Sequence, residues 1–248
     1  MNRYKRIGFY ALVVLWGLFL TAVLVHLFFP YQRALRIAFQ NVVGSGKMVV
    51  SMDGVRRAPL GVHLKKALIG HEAIPGKPIV ELSDITISWR PWSLLMGKFS
   101  LVSEGSAYDG KVNCTVIGIP VLTNNNPLMT INFSRINLAK YPPGTLPWFR
   151  AITGTAEGSI TREVPLLHPS AEKGTFRLTV RNGAVRDLFT KNFQGLTVPF
   201  EEITAEGKID GSQAIIDRVF VKGSDITMKG SGSLTRGDPH PSINLRLL

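Results

Sequence analysis

Along most of the chain, apolar and polar residues alternate with a period of two. Ile85, Ile87 and Trp89 alternate with Thr86, Ser88 and Arg90. Met129, Ile131 and Phe133 alternate with Thr130, Asn132 and Ser134, and Phe176, Leu178 and Val180 with Arg177, Thr179 and Arg181. Successive side chains of a strand point to opposite faces, so each run predicts a half-buried strand with one apolar and one polar side. The pattern returns at Ile203-Thr204-Ala205-Glu206, at Ile226-Thr227-Met228-Lys229 and at Ile243-Asn244-Leu245-Arg246-Leu247. Four Asx-Gly pairs, Asp53-Gly54, Asp109-Gly110, Asn182-Gly183 and Asp210-Gly211, tolerate positive φ and predict antiparallel hairpins. Helix is expected only in short pieces, at Pro91 to Gly97, which opens on Pro and closes on Gly, and at Asp187 to Phe193, which has an Asp cap. The body is therefore mainly β and largely antiparallel.

The N-terminus breaks this pattern. From Ile7 to Phe29, 23 residues, there is no Asp, Glu, Lys or Arg. As a helix the run reaches roughly 35 Å, more than the ~30 Å hydrocarbon core of a bilayer. Ile7, Leu15, Trp16, Phe19, Leu24, Phe28 and Phe29 are its candidate lipid-facing residues. A secretory leader has a shorter apolar stretch and a small-residue cleavage site, whereas this one leaves through His26-Leu27-Phe28-Phe29-Pro30, so a retained anchor is expected. Arg3, Lys5 and Arg6 precede it and favour a cytoplasmic N-terminus, with everything after Pro30 across the membrane. Leu35, Ala38, Phe39 and Val42 then fall at helical spacing and predict a membrane-proximal helix over 31–43, which stops at Gly44-Ser45-Gly46. The β region is read as a first lobe, 44–140, a proline-rich connection, 141–150, and a second lobe, 151–248.

Composition fits an anchored protein. Charged residues make up 19% of the 248, below the ~25% usual for soluble domains. The formal charge is +12; three basic residues and no acidic ones precede the span, which leaves +9 for the rest. Lys and Arg are scattered along the polar sides of strands from Arg56 to Arg246, at most two in a row, and do not gather with aromatics on one face, so nucleic acid is not the expected partner. Catalytic and cofactor motifs fail on inspection. Gly44-Ser45-Gly46-Lys47 lacks the spacing of a phosphate loop, with Met48 where a hydroxyl belongs. Gly230-Ser231-Gly232-Ser233 lacks the third glycine of a dinucleotide site, and His63, His71 and Glu72 do not have metalloprotease spacing. Cys114 lies between Val112 and Val116 as a buried thiol would, and no nucleophile elbow occurs. No enzyme, metal site or cofactor is expected.

As a whole the chain resembles the GspN family of type II secretion system proteins, whose bodies are similar to the wider AsmA-like group of anchored β proteins. The resemblance lies in the anchor, in the exit Phe29-Pro30-Tyr31, and in Pro91-Trp92-Ser93-Leu94-Leu95-Met96-Gly97-Lys98 leading to the Gly-rich turn from Glu104 to Gly110. It extends to Val221 through Gly232 and to Ile243-Asn244-Leu245. It implies an N-terminal transmembrane helix followed by a curved AsmA-like sheet. It also implies a single-pass protein of the bacterial inner membrane with a periplasmic domain, acting as a non-enzymatic accessory module of the secretion apparatus. In that role the final strand, with Ile243, Leu245 and Leu247, is the candidate edge for docking other inner-membrane or periplasmic subunits. The AsmA-like relationship implies an alternative, a lipid-binding or lipid-transfer protein in which Ile85, Ile87 and Phe133 line an apolar groove for phospholipid. Under either reading the mature protein retains its first thirty residues, and a reporter fused after Leu248 is active only outside the cytoplasm. A mature N-terminus beyond Pro30, determined by intact mass, overturns the anchor.

Overall fold

The computed structural model describes residues 48–58, 60–71, 78–118, 126–142, 151–163, 173–187, 197–211, 213–224, 227–235 and 242–247, with twelve positions between Tyr10 and Arg33. Contacts divide the chain into Met1–Phe39 and Gln40–Leu248. In the first unit all twelve described positions are helical and exposed, Trp16, Leu24 and Phe28 among them. The Thr21 hydroxyl donates to the Gly17 carbonyl at 2.8 Å, one turn back. No helix among the described residues is long and apolar enough to cross a membrane. Arg3, Lys5, Arg6, Ile7, Leu15, Phe19, Phe29 and all of 31–43 except Arg33 lie outside the described residues.

The second unit is one open, curved antiparallel sheet. Its strands are β1 (Met48–Ala58), β2 (Gly61–His71), β3 (Pro78–Trp89), β4 (Phe99–Ala107), β5 (Gly110–Gly118), β6 (Leu128–Asn137), β7 (Ala151–Ile152), β8 (Thr155–Glu163), β9 (Lys173–Arg186), β10 (Thr197–Asp210), β11 (Gln213–Lys222), β12 (Thr227–Thr235) and β13 (Ser242–Leu247). Twelve follow one another in chain order across the sheet, and β7 pairs with the end of β9. The sheet is continuous across the proline-rich stretch, since β6 pairs directly with β8. Helix in this unit is limited, among the described residues, to one turn at Trp92–Leu95 and a 3-10 turn at Leu138–Lys140. The first turn ends at Gly97, whose φ of +68° a glycine adopts without strain. Of the second helix expected, over 187–193, the structure describes Asp187 alone, in a bend at φ +54°; residues 188–193 lie outside the described residues.

Two of the four Asx-Gly pairs form hairpins. Tyr108 and Asp109, at φ +47° and +65°, make the two-residue turn between β4 and β5, and Gly211, at φ +57°, lies in the turn between β10 and β11. The other two are corrections to the sequence reading: Asp53-Gly54 lies inside β1 and Asn182-Gly183 inside β9. Their tolerance of positive φ serves a different end. Gly54, Asp84, Arg135 and Asn182 are left-handed residues in mid-strand. At Asp84 and Arg135 the register with one neighbour also slips. At each point the apolar series resumes three residues on instead of two: Met52 to Val55, Leu82 to Ile85, Phe133 to Ile136, and Val180 to Gly183. One residue is spent turning the strand over, so the residues beyond it that would have faced water face inward. In β11 one extra residue, Asp217, does the same between Ile216 and Val219, Arg218 keeping its place opposite Glu206.

A buried cluster lies at two of these slips, those of Arg135 and Asn182. Ala107, Ile136, Ala156, Val180, Val185 and Phe200 form it, with Phe133, Leu178, Ile203 and Val221 packed against it. Three phenylalanines sit directly opposite glycines on the neighbouring strand: Phe133 on Gly158, Phe176 on Gly207 and Phe200 on Gly183. A Cβ at Gly183 would lie 2.5 Å from Phe200 Cζ and would also strike the Thr153 carbonyl oxygen. We expect Gly183→Val to destabilise the protein by about 1–3 kcal/mol through overpacking. Asn182→Val should cost a comparable ~1–2 kcal/mol through the left-handed backbone, and Asn182→Gly close to nothing. Denaturant unfolding of the full chain in detergent, followed by near-UV circular dichroism, distinguishes them.

Candidate functional site: an apolar sheet face

Residues directly opposite one another in an antiparallel ladder project to the same face, so the register shows how apolar side chains combine across strands. One row begins at Val55 and runs through Leu64, Ile85, Gly105, Val112, Phe133, Gly158, Leu178, Ala205 and Val219 to Gly230, without a polar residue in eleven strands. The step from Ile85 to Gly105 is close enough that a Cβ on the glycine would lie 3.2 Å from Ile85 Cγ1. Two residues along, a second row contains Val62, Ile87, Cys114, Ile131, Ile160, Phe176 and Ile216, with Ser103 as its polar member inside the sheet and Arg57 at its β1 end. On the other side of the first row lie Ile136, Ala156, Val180, Ile203, Val221 and Met228. At ~4.8 Å per strand the first row is roughly 48 Å long.

The opposite face is polar. Arg181 lies between Glu157 (2.5 Å) and Glu202 (3.2 Å), which raises its pKa further. Glu206 lies between Arg177 and Arg218 at 3.5 and 3.6 Å. Thr115, Thr130, Thr161 and Thr175 form a cross-strand ladder, and His63 meets the Thr86 hydroxyl at 3.2 Å. These exposed ion pairs contribute little stability each; they keep this side of the sheet wetted.

The apolar face is unevenly covered. Leu64, Ile85, Ile136, Ala156 and Val180 are buried, whereas Ile87, Val112, Ile131, Phe133, Ile160, Phe176 and Leu178 are only half-buried. No second layer of helix or sheet covers it among the described residues. The structure thus brings the three groove residues expected from sequence onto one face, with different roles. Ile85 belongs to the packed core, while Ile87 and Phe133 are partly open, Ile85 and Phe133 lying three strands apart. Cys114 is half-buried on the same face; burial pushes its thiol up, and the Arg162 guanidinium partly offsets this.

Sequence reasoning missed Ile131, Ile160, Phe176, Leu178 and Ile216 as members of this surface. Their alternation was visible, but only register joins them into rows. At the C-terminal end, Ile243, Leu245 and Leu247 take register positions opposite Leu234, Gly232 and Gly230, in the outermost strand. Among the described residues no strand pairs with the outer side of β13 or of β1. No group of three or more potential metal ligands occurs among the described residues. Protein-family models, curated proteins and solved structures were compared with the chain, and none matches.

Proposed function

We propose that this is an anchored, non-enzymatic protein of the bacterial inner membrane whose periplasmic sheet holds phospholipid acyl chains along its apolar face. The observation that carries the reading is the set of contiguous apolar rows, half-buried across much of their length and, among the described residues, bare of a covering layer. A soluble domain ordinarily buries such a face against a second layer, and contiguous apolar surface left open marks a binding site. Acyl chains fit it by chemistry: they need no hydrogen bonds, and the face offers almost no donors or acceptors. The anchor has support in the exposed apolar side chains of the first unit, Leu12, Val13, Val14, Trp16, Leu20 and Leu24, which spread around much of a helix's circumference.

A second reading is the one the GspN resemblance implies, an accessory module of the type II secretion apparatus that docks other subunits. The outer edges of β1 and β13, unpaired among the described residues, favour it, because an edge strand accepts a further strand through its N–H and C=O groups.

Full-length protein purified in detergent should carry phospholipid at fixed stoichiometry by native mass spectrometry. Ile131→Asp and Ile160→Asp, at half-buried positions outside the packed cluster, should remove it while circular dichroism stays native, whereas Asn113→Asp on the polar face should not. Folded acidic variants that keep their lipid overturn the acyl-chain reading. Leu245→Pro deletes a backbone donor in β13. Loss of subunit pull-down in that variant, with lipid retained, establishes the docking module in its place.

A further inference from the structure

We propose that the end of the sheet formed by the β1–β2 turn and the β3–β4 connection docks onto an anionic phospholipid surface. This does not depend on the acyl-chain reading, since it concerns a different surface and a different part of the lipid. Here Leu60, Trp89, Trp92, Met96, Phe99 and Ile117 are all exposed, Trp92 at 76% and Met96 at 72%. Leu60, Trp89, Trp92, Met96 and Ile117 surround an open recess of about 620 Å³. Elsewhere in the sheet large apolar side chains are mostly half-buried or buried, so this concentration is local.

The exposed side chains stand on a fixed platform. The Trp89 N–H donates to the Leu60 carbonyl and the Arg90 N–H to the Ser100 carbonyl, each at 3.0 Å, tying the connection to strands on both sides. Ser93, itself buried, donates from its hydroxyl to the Arg90 carbonyl at 2.6 Å, and its own carbonyl accepts the Met96 and Lys98 N–H groups at 3.1 and 2.9 Å. Trp92 and Met96 are thus presented outward by a turn whose backbone is satisfied.

Charge selects the partner. Between Asp84 and Glu104 there is no acidic residue, and the only charges are Arg90 and Lys98, both exposed and both lining the recess. Arg56 and Arg57, exposed at the end of β1, add to them. Tryptophan at the rim, flexible Met and Phe beyond it, and cations that form no ion pair among the described residues match a headgroup layer, where indole rings settle at the interface and Arg and Lys meet phosphates.

The test uses the full chain reconstituted into phosphatidylcholine vesicles with or without phosphatidylglycerol. Met96→Cys in a Cys114→Ala background carries an environment-sensitive fluorophore. With phosphatidylglycerol present, its emission should shift to the blue and be quenched several-fold by brominated acyl chains. Arg90→Glu with Lys98→Glu, or raised salt, should abolish most of that quenching. A label at Lys229→Cys, on an exposed position of β12, should stay unquenched. If the labelled protein does not fold, bromolipid quenching of native tryptophan is compared between the unmodified chain and Trp92→Phe, which should lose much of the part that depends on phosphatidylglycerol, quenching of Trp16 in the anchor being common to both. A label equally unquenched in both vesicles overturns the proposal. So does shielding that develops in detergent as protein concentration rises, which means a second copy, or shielding that requires added envelope protein.

Discussion

Among the described residues the sheet has no second layer, so its apolar side chains must stay on one side along its whole width, and the rest of this structure follows from that constraint. Strict alternation achieves it only while a strand is straight. Where a strand bends, the face it presents turns away, and a residue has to be inserted to bring the apolar series back. Gly54, Asp84, Arg135 and Asn182 perform that insertion at positive φ, and Asp217 performs it as the one extra residue of β11. Glycine, Asp and Asn reach the left-handed region at little cost; Arg135 is the one residue of the four for which type offers no such explanation.

Curvature and surface chemistry are therefore not independent properties of this sheet. Each inserted residue both bends its strand and preserves the apolar row, and buried side chains gather at the insertions: Leu64, Ala67 and Ile85 near Gly54 and Asp84, and Ile136, Ala156, Val180 and Phe200 near Arg135 and Asn182. Away from these buried groups the same rows continue with less cover, and the half-buried Ile131, Ile160 and Phe176 follow. Stability and openness are thus distributed along one continuous face instead of being assigned to separate sites.

The strands were legible in the sequence because their period is local. Residues 85–90, 129–134 and 176–181 each announce a strand without reference to any other part of the chain. The one-turn helix at Trp92–Leu95 was legible for the same reason, bounded by Pro91 and Gly97. What could not be read was the use made of Asp53-Gly54 and Asn182-Gly183, since a residue pair that tolerates positive φ suits a hairpin and a mid-strand insertion equally. The three-residue step in the apolar series, Met52 to Val55 or Val180 to Gly183, carried the distinction, and a search for period two passes over it as an interruption. The apolar face as a surface was also hidden. Ile85 and Phe133 are 48 positions apart in the chain, and only strand pairing lays them on one row.

The pairing of Phe133, Phe176 and Phe200 with Gly158, Gly207 and Gly183 has a consequence for how such a chain can vary through descent. In each pair a ring occupies the room that its neighbour's missing side chain leaves, so the two positions share one volume. Enlarging the glycine alone displaces the ring, and trimming the ring alone opens a hollow. The two members are consequently free to change only as a unit, and divergent copies of this sheet should exchange large for small across the ladder while the thickness of the layer stays the same.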